Sequence, residues 1–190
     1  MTQSVQAVER YTLAWLGREA AVVVGLAGLT ALAARVAIPL PGTPVPATLQ
    51  VAAVIFAGAA CGSRRGVLAQ LIYLLAAFLG APVLAAGLQA GPTLVTIPTF
   101  GYLLAFPLAA YLAGHWKGTA SRWLGSAAGL VAIHGLGVSW LWAWAAIEGH
   151  GASLAWALMA GCVPFFVFDL AKGALATWSA IPLRRRVDSW

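Results

Sequence analysis

Apolar runs ended by proline, glycine or arginine follow one another along nearly the whole chain, over residues 20–38, 45–62, 66–80, 97–114, 123–147 and a last stretch from near Pro164. Most approach the ~20 residues a helix needs to cross a bilayer, and 66–80 needs its flanks to do so. Of all residues 62% are hydrophobic and 8% charged, against about 25% charged in an ordinary soluble domain. The pattern predicts an all-α polytopic membrane protein, a bundle of six transmembrane helices over 20–183. Residues 1–19 read as an N-terminal cytoplasmic or interfacial segment, and 184–190 as a basic cytoplasmic tail.

Charge placement sets the expected orientation. Arg64 and Arg65 fall between the second and third runs, Lys117 and Arg122 between the fourth and fifth, and Arg184, Arg185 and Arg186 after the last. The intervening loops, 39–44 and 81–98, carry no Lys or Arg, and the fifth–sixth connection has only Glu148 and His150. Cationic loops stay in the cytoplasm, so both termini are expected there, in a bacterial-type cytoplasmic membrane. The competing reading of residues 20–34 as the apolar part of a cleaved signal peptide fits poorly with a polar 19-residue lead carrying Glu9 and Glu19. The net charge of +6 does not point to nucleic acid, because no basic stripe is interleaved with aromatics.

Asp169 and Lys172 interrupt the last apolar run. A charge inside a membrane segment must be compensated or used, and the i, i+3 spacing puts both on one helix face. Such a pair can neutralise itself while presenting a carboxylate and an ammonium to a polar guest, so it reads as the floor of a binding site. Pro164 suits a first helical turn. A helix begun there would keep Asp169 near its N-terminus, where the macrodipole favours negative charge, and would leave 152–163 as an outer, partly interfacial connection.

Two outer loops stand above that floor. Residues 39–46 contain four prolines in eight positions, which makes a stiff, extended lid unable to satisfy a ladder. The 81–99 loop is too long for a passive turn. Neutral donors and acceptors available there are Thr48, Gln50, Gln89, Thr93, Thr96, Thr99 and the backbone N–H groups of Gly91 and Gly101. Arg35 either snorkels outward or helps receive an anion. Ala27 and Ala31 form a small-xxx-small step that admits close helix approach, either within the bundle or at a separate membrane subunit. Cys61 and Cys162 are isolated, and His115, His134 and His150 are scattered without ligand spacing, so they read as interfacial or packed side chains and no metal or cofactor is expected. No nucleophile–base constellation marks an enzyme. A proton-coupled or stand-alone carrier using Asp169–Lys172 as a relay stays open as the alternative.

The segments IPLPGTPVPATLQ over 38–50, QLIY over 70–73, PTFGYLLAFP over 98–107 and PFFVFDLAK over 164–172 resemble, in order, the BioY family of biotin transporters. These are the substrate-binding S components of energy-coupling factor transporters. The resemblance implies a six-helix bundle that captures biotin from outside under its first and third loops. Partners implied are membrane lipid, a transmembrane coupling subunit and a pair of cytoplasmic ATPases; this chain has no phosphate-loop sequence of its own. It also implies substrate contacts from Asp169, Lys172, Tyr102, Gln89, Gly91, Thr99, Tyr73 and Gln50, with Ala27 and Ala31 at a subunit interface. Biotin suits such a site: a ureido group with two N–H donors and one acceptor, an apolar ring and chain, and a carboxylate. Tyr73 and Tyr102 would pack on its ring.

Overall fold

In a computed structural model, residues 2–85, 88–116 and 118–187 are described, and they are overwhelmingly helical. The elements are α1 (Thr2–Arg35), the short strands β1 (Ala37–Ile38) and β2 (Ala47–Thr48), α2 (Gln50–Cys61), α3 (Ser63–Phe78), a 3-10 turn (Pro92–Thr96), α4 (Phe100–His115), α5 (Thr119–Ile147), α6 (Leu154–Gly161) and α7 (Val163–Val187). By length and apolarity α1 and α5 suffice to cross a membrane, and so does the pair α6–α7 taken as one span bent by 42°. Helices α2 and α4 are equally apolar but only 12 and 16 residues long.

Small residues bring the helices together. A Cβ placed on Gly58 would lie 2.1 Å from the carbonyl oxygen of Ala110, and one on Gly125 2.4 Å from that of Leu112. Backbones in contact at that range maximise dispersion where lipid tails leave little hydrophobic drive for association. The core between them collects Val54 and Ile55 from α2, Ala105, Phe106 and Ala109 from α4, and Ile133 and Leu141 from α5.

Three boundaries differ from the sequence expectations. No break separates 1–19 from the first span: α1 is continuous, and its apolar part runs over Thr12–Arg35. Glu19 is accommodated inside it because Arg65 at the start of α3 holds its carboxylate with two contacts, Nε to Oε2 at 2.8 Å and Nη2 to Oε1. At the other end α7 continues past Arg184 to Val187, so the basic tail begins as helix. The 152–163 connection is mostly helical: Ser153 caps α6 by accepting the Trp156 N–H at 3.1 Å, and the chain bends at Cys162 before α7.

The proline-rich segment also forms a ladder after all. Ala37 pairs with Thr48 and Ile38 with Ala47, antiparallel. The four prolines lie between the paired residues, which all keep their N–H groups, so the ring constraint stiffens the loop without removing a ladder donor. Arg64, Arg65 and Arg184 share one end of the bundle, around a recess that also takes in Trp15 and Glu19. Lys117 falls outside the described residues.

Candidate functional site

At the hairpin end of the bundle, α2, α4, α5 and α7 converge on a cavity of about 50 Å³. Val45 and Pro46 from the hairpin and Leu84, Ala85 and Leu88 from the 81–99 loop line it, with Val51, Leu103, Phe106, Ile133 and Phe165 forming apolar walls. Its polar lining is Thr48, Gln50, Thr99, Tyr102, His134 and Asp169. That free volume is far below the roughly 300–1,000 Å³ of drug-sized sites.

Asp169 and Lys172 are joined, Nζ to Oδ1 at 2.8 Å. Lys172 does not line the cavity. Its ammonium lies behind Asp169 and donates a second hydrogen bond to the Thr48 carbonyl at 2.8 Å, tying β2 to α7. Asp169 is 5% exposed, and its second oxygen, Oδ2, stands 3.2 Å from His134 Nε2. That approach lacks hydrogen-bond alignment: both imidazole nitrogens of His134 are buried without a hydrogen-bond partner. Thr99 Oγ1, also on the cavity, is in the same condition. Buried polar atoms are nearly always satisfied, so these mark the surface where a guest's polar groups would sit.

Tyr102 owes its position to two glycines. A Cβ on Gly137 would lie 2.2 Å from its ring, and one on Gly161 2.3 Å from its hydroxyl. The hydroxyl donates to the Gly161 carbonyl at 2.7 Å, leaving the ring as the surface offered to the cavity.

Tyr73 stands behind the site. Buried at 1% exposure, it accepts the Gln50 amide at 2.7 Å and donates to the Val83 carbonyl at 3.3 Å, so it fixes Gln50 and the loop above it and has no face on the cavity. Gln89 is exposed and off the cavity. The Gly91 N–H, expected to be available, is taken by the Ala77 carbonyl at 2.8 Å because the loop folds back on the end of α3. Thr93, Thr96 and Arg35 are exposed. Ala27 is 7% exposed within the bundle core and Ala31 is half-buried against it; Gly25 and Gly28, beside them on α1, face outward, with no atom within 4 Å of where a Cβ would stand. The expected step therefore packs internally and its neighbours line the outer face.

Sequence reasoning passed over His134. The signal available was an ionisable side chain in the middle of an apolar helix, the same criterion that singled out Asp169.

An all-helical bundle with candidate membrane spans and an internal cavity holding a buried acid, an imidazole and an uncommitted threonine hydroxyl defines a membrane protein built around a small solute. Its fold matches the crystal structure described as the S-component for biotin from an ECF-type ABC transporter, with a TM-score of 0.78 over 90% of this chain and 93% of that one at 20% identity. The chain belongs to the BioY family, whose model matches residues 2–189. It is 38% identical over 159 residues to the probable biotin transporter BioY of Pyrococcus horikoshii, covering 84% of this chain and 91% of the relative. It is 34% identical over 152 residues to the biotin transporter BioY of Thermotoga maritima, covering 78% and 86%.

Proposed function

We propose that this chain is a biotin-uptake protein that binds the vitamin in the cavity around Asp169, acting as the substrate-binding S component of an energy-coupling factor transporter. The observation that carries the reading is the concentration of buried polar groups on one cavity beneath two outer loops: Asp169 backed by Lys172, with Gln50, Thr99 and the ring of Tyr102. An amphiphilic guest with a ureido group needs such a surface, apolar over most of its area with a few fixed donors and acceptors.

On this reading the bundle crosses the membrane six times, α2, α3 and α4 serving as short spans beside α1, α5 and α6–α7, and both termini are cytoplasmic. The arginine-rich end then faces the cytoplasm and the hairpin end faces outward. A transmembrane coupling subunit and a pair of ATPases supply the energy, and the outward small-residue face of α1 gives the coupling subunit a smooth surface to approach. Isothermal titration of monodisperse protein with biotin, together with mass spectrometry for a co-purifying ligand, tests the reading. Absence of biotin binding by well-folded protein refutes it.

A further inference from the structure

Helix α2 begins at the cavity with Gln50 and ends, at Cys61, on a second and open recess of about 290 Å³ between α1, the start of α3 and α7. Its charged lining, among the described residues, is Arg64, Arg65 and Arg184 against Glu19. Arg65 holds Glu19 at both oxygens, so three cations share one acid and the recess keeps a positive excess. The backbone adds to it. Helix α3 opens on this wall with no side-chain cap and no acidic residue in its first turn, and the N-terminal end of a helix carries partial positive charge. Arg184 is packed onto that end: a Cβ on Gly62, the residue before α3, would lie 2.3 Å from its Nη1. Cations ordinarily favour helix C-termini. A guanidinium laid across an N-terminus is therefore an arrangement that an anion between the two would stabilise.

Trp15 lines the same recess at 51% exposure, with Leu13 and Leu16 beside it also exposed, close to where the apolar stretch of α1 begins at Thr12. A Trp at the end of an apolar span sits at the level of the lipid headgroups, so the recess opens where phosphodiesters lie. We propose that it binds the phosphate of an anionic membrane lipid: Arg64 and Arg184 take the phosphate oxygens at the head of α3, and Trp15 with its apolar neighbours lies along the glycerol and the upper acyl chains. Arg65 keeps its pairing with Glu19. A zwitterionic headgroup brings an ammonium that the same arginines repel, so the site selects lipids by net charge. The inference is independent of the biotin reading and rests only on the membrane-embedded bundle. A lipid so held ties α1, α3 and α7 together at the headgroup level.

The test titrates the detergent-solubilised full chain with phosphatidylglycerol, phosphatidylcholine and inorganic phosphate, following bound lipid by native mass spectrometry and the thermal midpoint. Phosphatidylglycerol is expected to bind and raise the midpoint, phosphatidylcholine to do so far less, and inorganic phosphate to displace the lipid only weakly because it lacks the apolar contacts. Arg64→Gln and Arg184→Gln are each expected to weaken phosphatidylglycerol binding roughly tenfold. Arg18→Gln, at an exposed arginine next to Glu19 but off the recess, is expected to change it much less. Arg184→Lys, which keeps the charge, should lose less than Arg184→Gln and provides a second variant if the glutamine form does not fold. No preference between the two lipids, or equal losses at Arg18 and Arg184, would reduce the recess to a diffuse positive surface and overturn the proposal. Inorganic phosphate competing as tightly as the lipid would also overturn it, in favour of a soluble anion.

Discussion

Lys172→Ala breaks the pair at the floor of the cavity, and its cost can be worked from the geometry. At 2.8 Å the ammonium and carboxylate attract by roughly 6 kcal/mol at an effective dielectric near 20. Desolvation of two ions in a mostly buried site opposes that by several kcal/mol, so the intact pair contributes little net stability. Removing only the cation leaves Asp169, at 7% side-chain exposure, charged and uncompensated, which typically costs ~3–5 kcal/mol. If that falls on the liganded state, biotin affinity drops a hundredfold or more. Asp169→Asn is expected to weaken binding comparably, since it strands the ammonium and removes the acceptor at Oδ2. The double change Asp169→Asn, Lys172→Met removes both charges and is expected to unfold less readily than either single variant, while binding no better. Affinity by titration calorimetry and thermal unfolding in detergent, both on monodisperse protein, separate the two effects. Wild-type affinity in both well-folded single variants would refute the reasoning and make the pair a packing device.

Gly137→Ala forces a methyl into the Tyr102 ring, 2.2 Å from the new Cβ; overpacking of this kind costs about 1–3 kcal/mol, so a lower thermal midpoint together with weaker biotin binding is expected. Ala27→Trp, at a core position, is expected to lower the yield of folded protein and with it biotin binding, whereas Gly28→Trp, on the open face of α1, should leave binding unchanged and reduce uptake that depends on the coupling subunit. Equal binding losses in the two variants would argue against that division of the helix. In a background lacking Cys61 and Cys162, a cysteine at Gly42 should react with an impermeant label from outside and one at Ser121 should not; the reverse pattern would invert the proposed topology.

What could be read without coordinates followed from local chemistry. The Asp169–Lys172 contact depends only on i, i+3 spacing, and the helices on the length of apolar runs. The participation of Gln50 and Thr99 in the cavity followed from their place at the ends of outer loops. The failures at the site and at Glu19 are nonlocal. Nothing in the neighbourhood of Glu19 announces that Arg65, far along the chain, will neutralise it and let α1 run on unbroken. Tyr73 reads like Tyr102, an aromatic with a polar handle, until the Gln50 and Val83 contacts put it one layer behind the cavity. His134 shows no ligand spacing, and becomes significant only because the packing of α5 on α7 brings it to Asp169.

The Lys172 ammonium is bonded at once to a carbonyl of the hairpin and a carboxylate of the last helix. The latch on the entrance and the counter-ion of the floor are thus one atom. On the biotin reading, a guest that shifted the Asp169 carboxylate would move this nitrogen and with it the hydrogen bond to Thr48, so a change in occupancy would be felt at the mouth through a single side chain. By reciprocity, whatever loosens the hairpin must alter the hold on the guest by the same free energy. On the biotin reading, grip and gate would then be coupled at this position, and a faster-releasing variant would call for changes at the apolar walls instead.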